Sequence, residues 1–285
     1  MRASLIALAA LTLLSAAPAA ASAATPSHVV VVVLENREFG EVIEAPDAPT
    51  LNRLAGRGAL ATRYHAITHP SLPNYLALLG GSTFGIDSNC TDCSTPGANL
   101  ATQLSGAGVG WRAYMGGMPR PCFRGAEHGA YVKRHNPFMH SAAVASSPGL
   151  CRRVVPEGRL DADLRAHRLP AFAWLSPDLC DDAHDCDLAS ADRHLRRLVP
   201  RLTRQLGPHG ALVITFDEGT SDAGCCDGAR GGRIATILVG PGIDPGTRLR
   251  AAYDHYSLLA ALEDRFGLAR LRHARGANPL PLLSN

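Results

Sequence analysis

Acidic residues follow two strongly apolar segments of this chain, and their chemistry predicts a metal site. One segment is followed by Glu35 and Asn36, and the other by Asp217 and Glu218. If the two segment ends lie side by side, three carboxylates and an amide oxygen converge, and such a cluster repels itself unless a cation fills it. We expect one divalent ion here, calcium, magnesium, manganese or zinc. The alternative is that Glu35 and Asp217 merely cap the helices that follow.

Ser71 stands at the start of a predicted helix, just after His69 and Pro70. A serine in this position is either an N-cap, whose oxygen accepts a backbone N–H, or a nucleophile. The helix N-terminus offers free N–H groups and the positive end of the helix dipole, which favour a bound phosphate and a serine alkoxide. Because a free serine hydroxyl is a poor nucleophile, the second interpretation requires activation, here by the predicted metal ion.

Four histidines are candidates for proton transfer to a leaving group: His69, His135, His184 and His255. His184 is favoured because its acidic neighbours and a predicted disulfide would hold it in place. The same neighbours, Asp181, Asp182 and Asp185, have two further interpretations, a solvated loop face or a second cation site.

The elements that must position these residues alternate between strand and helix. Apolar runs predict strands at 29–34, 59–65, 110–114, 171–175, 211–216 and 234–239. Helical spacing predicts helices at 48–57, 72–79 beginning at Ser71, 98–104, 189–206 with a kink or interruption near Pro200, and 256–266. This alternation is typical of an α/β fold with a mostly parallel central sheet and helices on both faces. Ligands bind beyond the carboxyl ends of such strands, where both acidic pairs lie.

The chain is long and apolar enough for one substantial core. It has 285 residues, 46% of them hydrophobic, and no linker divides it. We therefore predict a single domain over residues 25–285. Segment 115–160 is rich in Gly, Pro, Arg and His with weak periodicity, and we expect an ordered insertion that covers the site.

Residues 1–24 have the features of a signal peptide. Arg2 precedes an apolar stretch at 5–14, and Ala21-Ser22-Ala23 is a small-residue cleavage site. The alternative is an uncleaved anchor, which Pro18 disfavours. No other stretch approaches the roughly 20 apolar residues that a membrane span needs. We expect a secreted monomer without stable membrane insertion, and a net charge of only +3 argues against nucleic-acid partners.

Eight cysteines in an exported chain predict disulfides. They are Cys90, Cys93, Cys122, Cys151, Cys180, Cys186, Cys225 and Cys226. Short loops suggest the pairs 90–93 and 180–186, with 122–151 closing a longer loop, whereas the adjacent last two either bridge each other or pair elsewhere. The spacing of the first pair also resembles a zinc finger, but no second pair with a matching gap accompanies it.

Taken together, these residues resemble the phosphoesterase family of bacterial non-haemolytic phospholipases C and secreted acid phosphatases, which is related in fold to alkaline phosphatase. The matching stretches, in order, are Glu35-Asn36-Arg37-Glu38-Phe39, His69-Pro70-Ser71-Leu72-Pro73-Asn74-Tyr75, His135-Asn136-Pro137-Phe138, Ser176-Pro177-Asp178-Leu179-Cys180, His184-Asp185-Cys186, Thr215-Phe216-Asp217-Glu218 and Tyr253-Asp254-His255-Tyr256-Ser257.

The resemblance implies a set of site roles. One metal would be bound by Glu35, Asn36, Ser71, Asp217 and Glu218, with Ser71 as the nucleophile. Three side chains would contact the substrate: Asn74, His135 and His184. The chain has Glu38 and Gly40 where the longer phospholipases C continue their signature, so it is similar instead to the compact secreted phosphomonoesterases, some of which act on phosphoinositides.

The implied activity is therefore hydrolysis of a small-molecule or lipid phosphate monoester through a phosphoserine. A phospholipase C acting on diesters is the first alternative. A sulfatase is less consistent, because Tyr75 stands where sulfatases carry arginine after their nucleophile. The non-enzymatic alternative is an exported binding module stiffened by calcium, which would need no serine beside its site.

Overall fold

A computed structural model describes residues 27–281 of the chain, and the predicted signal peptide lies outside them. The strands are β1 (Val29–Leu34), β2 (Ala59–His65), β3 (Trp111–Met115), β4 (Glu127–His128), β5 (Tyr131–Val132), β6 (Val154–Pro156), β7 (Phe172–Ser176), β8 (Ala211–Phe216), β9 (Arg233–Val239), β10 (Thr247–Leu249) and β11 (Tyr253–Asp254). The α-helices are α1 (Phe39–Val42), α2 (Pro49–Arg57), α3 (Ser71–Gly80), α4 (Leu100–Gly106), α5 (Ala142–Ser146), α6 (Pro148–Cys151), α7 (Gly158–Arg165), α8 (Leu188–Thr203) and α9 (His255–Arg265). Short 3-10 turns occupy Lys133–His135, Pro137–Met139, Cys226–Gly228 and Arg272–Arg275.

Nine strands form the main sheet, in which eight follow the order β10-β2-β9-β8-β1-β7-β3-β6 and β11 also pairs with β2. All of these pairs are parallel except the two made by β9, which runs antiparallel to β2 and β8. The mostly parallel α/β fold predicted from the alternation is thus confirmed. β4 and β5 form a separate two-stranded hairpin.

The two apolar segments become the neighbouring central strands β1 and β8, and every residue in both is buried. Valine and isoleucine suit such positions because their branched side chains pack well on a pleated surface covered on both faces. Helix α3 packs against α9, and α2 packs against α8. These helices shield the strands from water and hold the strand ends in fixed positions.

Two predictions about the elements need correction. Segment 115–160 is more than a cover, because its residues Val154–Pro156 form the edge strand β6, parallel to β3. Helix α8 continues through Pro200 to Thr203, so the interruption, one of the two predicted alternatives, is absent. Its buried face, which includes Leu195, Leu198 and Leu202, keeps the last turn in place although the proline removes one backbone hydrogen bond.

Four disulfides are present, three of which are the pairs that local spacing suggested, and the fourth resolves the open choice for the adjacent last two cysteines. They join Cys90 to Cys93, Cys122 to Cys151, Cys180 to Cys186, and Cys225 to Cys226. The first pair is a disulfide, so the zinc-finger interpretation of its spacing is wrong. Between residues 27 and 281, no helix has the length and apolar character needed to cross a membrane.

Candidate active site

The register between β1 and β8 brings the two acidic pairs together. Leu34 lies opposite Phe216, so Glu35 and Asp217 follow at the same level of the sheet. The backbone N–H of Asp217 donates to the carbonyl of Leu34 at 2.9 Å, which extends the strand ladder by one more residue. Both carboxylates are fully buried. The convergence expected from the strand ends is therefore present.

Ser71 is the first residue of α3, and its hydroxyl faces these carboxylates. The N-cap position belongs to Pro70, so Ser71 is not the N-cap that one interpretation offered. Its Oγ donates to Glu35 Oε2 at 3.2 Å and to Glu218 Oε1 at 3.3 Å. Ser71 is also almost completely buried. Its hydroxyl is thus held between carboxylates from two different strand ends, at the positive end of the α3 helix dipole.

The loop before Ser71 is fixed by Asn74, one turn along the helix. The Asn74 Oδ1 accepts the backbone N–H groups of Ile67 and Thr68 at 2.9 and 3.1 Å. Its Nδ2 donates to the carbonyls of Thr68 and Pro70 at 2.7 and 3.3 Å. These four bonds use the whole hydrogen-bonding capacity of the amide. In this conformation Asn74 therefore orients the loop and has no group left for the substrate contact that the resemblance implied.

Asn36 completes the oxygen cluster. Its backbone, at a positive φ of 43°, directs the N–H to Asp217 Oδ1 at 3.2 Å. One terminal atom of its amide lies 3.1 Å from both Asp217 Oδ1 and Glu35 Oε2. A nitrogen at this position donates to the two carboxylates, whereas the amide oxygen would be the ligand that Asn36 could offer to a divalent ion. The side chain therefore suits either the metal-free or the metal-bound state.

The cluster is electrostatically strained without a cation. Burial, then the charges of Asp217 and Asp182, raise the pKa of Glu35 well above its usual range. Burial and Glu218 raise the pKa of Asp217 to about 7. The Oδ2 atom of Asp217 is buried without a hydrogen-bond partner. A divalent ion would satisfy this orphaned oxygen and offset the repulsion, so the residues present fit a metal.

Aromatic and histidine side chains behind the cluster hold its carboxylates in place. The Tyr75 hydroxyl, also on α3, donates to Glu35 Oε1. Nε2 of His255 lies 2.6 Å from the carbonyl of Asp217, and Nδ1 lies 3.2 Å from the hydroxyl of Tyr64. His255 is fully buried, and its desolvation lowers its pKa to about 4. The sequence pattern offered His255 as a catalyst, and the structure places its ring nitrogens against the Asp217 carbonyl and the Tyr64 hydroxyl.

His135 enters the site from the 3-10 turn in segment 115–160, and Asp182 lies beside it. Nε2 of His135 is 3.3 Å from Glu35 Oε2, and Nδ1 is 3.2 Å from Asp182 Oδ2. Neither the Nε2 nor that Oδ2 has a hydrogen bond, although both are buried. Burial raises the pKa of Asp182 to about 8 and lowers that of His135. Glu35, His135 and Asp182 thus form a second group of donor atoms close enough to share an ion.

His69 and His184 are the more accessible histidines. Nδ1 of His69 lies 2.6 Å from Glu218 Oε2, and Nε2 lies 3.1 Å from the carbonyl of Ser221. Burial alone would lower the pKa of His69, but these two acceptors raise it overall. His184 directs Nδ1 to Asp185 at 2.6 Å, and its Nε2 lies 3.4 Å from a guanidinium nitrogen of Arg134.

The two residues that follow Glu35 and Asn36 secure the loops on either side. Arg37 donates to the carbonyls of Ala183 and Cys186 at 2.9 and 3.3 Å, in the loop that carries Asp182 and His184. Glu38 turns the other way and accepts hydrogen bonds from the 219–221 turn. Sequence reasoning missed Arg37, Tyr75 and Arg134 as site residues, and only the acidic character of 181–185 hinted at Asp182.

Known proteins resemble this chain in sequence and in fold. A family model described as "Phosphoesterase family" matches residues 40–269. A phosphatidylinositol-3-phosphatase of Mycobacterium tuberculosis is 31% identical over 258 residues, covering 89% of this chain and 81% of that protein. An acid phosphatase of Aspergillus fumigatus is 30% identical over 270 residues, covering 89% of this chain but only 58% of the relative.

Solved structures with low sequence identity show the same fold. A protein of the alkaline phosphatase superfamily from Vibrio parahaemolyticus has a TM-score of 0.60 at 14% identity, covering 90% of this chain and 71% of that one. The murine ectonucleotide pyrophosphatase/phosphodiesterase 5 has a TM-score of 0.56 at 15% identity, covering 87% and 97%. Because the family model and the relatives in sequence match most of the chain, it belongs to the phosphoesterase family, whose members are hydrolases of phosphate esters.

Proposed function

We propose that this protein is a secreted phosphomonoesterase that uses Ser71 as its nucleophile. The single observation that carries the proposal is the environment of the Ser71 hydroxyl. It lies between Glu35 and Glu218, at the N-terminus of α3. The carboxylate cluster around it is buried, and not every oxygen in it has a hydrogen-bond partner. A serine that only stabilised the fold would not need this concentration of buried charge.

The proposed metal ligands are Glu35, Asn36, Ser71, Asp217 and Glu218. When bound, a divalent ion lowers the pKa of the serine hydroxyl and stabilises negative charge on the phosphoryl oxygens. His135 and Asp182 share Glu35 with this set, so they hold it in place or extend it to a further ion. Calcium, magnesium, manganese and zinc all remain compatible with these donors.

Two displacement steps account for turnover. In the first, Ser71 Oγ forms a bond to phosphorus while the bond to the ester oxygen breaks, and the hydroxyl proton passes to a neighbouring carboxylate such as Glu218. The departing alkoxide takes up a proton and leaves as an alcohol. In the second, water attacks the phosphoserine, inorganic phosphate departs, and the serine regains its proton.

Histidines at the rim serve the leaving group and the phosphoryl oxygens. His184 is the proposed proton donor, because it is partly accessible and oriented by Asp185. Arg134 lies next to its Nε2, where a guanidinium can stabilise phosphoryl charge. His69 is held against Glu218 and keeps that carboxylate oriented towards Ser71. Each role is tested by substitution of the residue concerned.

Monoesters, including those of phosphoinositides, are the proposed substrates. Support comes from relatives named as an acid phosphatase and a phosphatidylinositol-3-phosphatase. The diesterase alternative shares the same nucleophile and remains the second candidate, since a related fold occurs in a protein named as a phosphodiesterase. Export is proposed from the leader at 1–24 and from four disulfides in the described chain.

The test is one panel of phosphate monoesters and diesters, assayed with and without a chelator. Ser71→Ala should lose turnover of monoesters by at least about a thousandfold while its circular dichroism stays unchanged. Ser146→Ala is the matched control, because Ser146 is exposed at the end of α5, and it should behave as wild type. Retained activity in Ser71→Ala, or full activity after chelation, would overturn the mechanism. Preference for diesters would instead favour the phospholipase C alternative.

A further inference from the structure

An arginine-lined cavity lies at one edge of the main sheet. Its volume is about 490 Å³, and its lining consists of Arg112, Pro121, Arg152, Val155, Pro156, Gly158 and Arg159. The cavity borders β6, the last strand on that side of the sheet. Three strand spacings, about 14 Å, separate β6 from β1, the strand that the proposed metal ligands Glu35 and Asn36 follow. No residue of this lining belongs to the cluster around Ser71, so the cavity is a separate site.

Positive charge is concentrated in the part of the chain that builds this cavity. Between residues 112 and 165 there are eight arginines and Lys133 against four carboxylates, a net charge of +5. The whole chain has a net charge of only +3, so the remainder is net negative. The cavity lining itself has three of these arginines and no carboxylate, an excess that attracts anions to it.

The guanidinium groups at the cavity exceed the carboxylates that could neutralise them. Arg112 and Arg159 both bond to Asp163, which is buried. Arg152 uses Nε for the carbonyl of Pro148 at 3.0 Å, and Arg159 likewise bonds through Nε. Among residues 27–281, the terminal nitrogens of Arg152 and Arg159 have no protein acceptor. These paired N–H groups match the geometry of phosphate oxygens.

The cavity is also held in shape before any ligand arrives. The Cys122–Cys151 disulfide joins the loop that supplies Pro121 to the helix end that supplies Arg152. Gly158 begins α7 and lines the cavity, so the positive end of that helix dipole faces the same space. Preorganisation of this kind reduces the ordering cost of binding.

We propose that this cavity binds a phosphate group independently of the catalytic serine. Inorganic phosphate and the headgroup of an anionic phospholipid share the chemistry that the arginines would recognise. The first would make the cavity a site for the product of a phosphatase. Binding of the phospholipid headgroup would attach the enzyme to the lipid surface that carries its ester substrates. The inference stands without the proposed mechanism, because it involves none of the residues at Ser71.

The test variant is Arg152→Gln combined with Arg159→Gln. Arg112 is left intact because its bond to the buried Asp163 stabilises the fold. The matched control is Arg165→Gln combined with Arg168→Gln, which removes the same charge from exposed positions outside the cavity lining. Arg152→Gln alone keeps the test valid if the double variant unfolds, since the bond it loses is to the neighbouring Pro148 carbonyl.

Two binding assays distinguish the sources of phosphate. Equilibrium dialysis with inorganic phosphate measures the free ion, and co-sedimentation with phosphatidylcholine vesicles, with and without phosphatidylglycerol, measures the lipid headgroup. We expect the test variants to lose at least about tenfold in affinity in one or both assays, and the control to keep its binding. Turnover of a soluble monoester should stay unchanged in every variant. Unaltered binding in both assays, or an equal loss in the control, would overturn the proposal.

Discussion

Glu38 is predicted to control the rate of hydrolysis without touching the substrate. Its Oε1 accepts from the Ser221 hydroxyl at 3.1 Å and the Arg233 N–H at 2.9 Å, and its Oε2 accepts from the Thr220 N–H at 3.0 Å. A Cβ at Gly219 would lie 2.2 Å from that Oε2, so the carboxylate and the turn are in close contact. The Ser221 carbonyl in turn meets His69.

A chain of contacts therefore runs from Glu38 to the nucleophile, through Ser221, His69 and Glu218 to Ser71. Glu38→Ala removes two acceptor oxygens and, with them, three hydrogen bonds. At a half-buried position each is worth about 0.5–1 kcal/mol, so the turn loses about 2 kcal/mol of restraint. Because a displacement of about 1 Å at reacting groups can reduce the rate a hundredfold, kcat should fall by about 10- to 100-fold.

Steady-state kinetics on a soluble monoester measure this effect, with KM changing less than kcat. Glu38→Gln keeps an acceptor oxygen and should recover part of the lost rate. Glu44→Ala is the control, since Glu44 follows on the same segment and makes its hydrogen bond to Asn52 through the backbone N–H, which the substitution keeps. A folded Glu38→Ala enzyme with wild-type kcat would refute the reasoning, as would an equal loss in the Glu44 variant.

Two further predictions concern metal affinity and pH. Tyr75→Phe removes the hydroxyl that orients Glu35 and should weaken metal binding by about 10- to 100-fold in a metal titration. Tyr114→Phe, which loses a buried hydrogen bond elsewhere, should leave that affinity unchanged. Burial raises the pKa of Glu263 to about 8 in the folded protein. Because this carboxyl ionises more readily in the unfolded chain, the free energy of unfolding falls as pH rises from about 4.5 to 8. At pH 8, Glu263→Gln should therefore raise the free energy of unfolding, measured by denaturant titration, by about 2–4 kcal/mol. At pH 4.5 the substitution should leave that free energy unchanged. An unaltered pH dependence would contradict the prediction.

The strands with continuous apolar sequence were the most predictable elements of the fold. The predicted bounds of β1 and β8, which are buried throughout, match the structure residue for residue. Because burial on both faces requires apolar side chains at every position, the first and last residues of the apolar run mark the start and end of such a strand. The three-residue strands β6 and β10 were missed, because they are too short for periodicity and their pairing partners are remote in sequence.

The direction of β9 could not be predicted from local sequence either. Its residues alternate no differently from those of a parallel strand, and the antiparallel pairing with β2 and β8 follows from the path of the chain between them. The general rule that alternating strands and helices form a parallel sheet holds for the other neighbours in the sheet.

The site was predictable where its residues follow strands and obscure where they come from loops. Glu35 and Asp217 could be placed together because parallel neighbours end at one edge of the sheet. Arg37 reaches the Ala183 carbonyl across 146 residues of chain, and Asp182 meets His135. No periodic pattern encodes such loop contacts, and an acidic loop is usually just a solvated surface. Tyr75 was noticed only as the residue that replaces an arginine.

The most direct test of the account is to trap the phosphorylated enzyme. Purified protein is mixed with a phosphate monoester in the presence of metal, quenched in acid within the first turnovers, and digested for mass spectrometry. The account predicts a phosphate on the peptide that carries Ser71, and no such label in Ser71→Ala or after chelation. Full turnover with an unmodified Ser71 peptide at every quench time, or the label on a different residue, would contradict it.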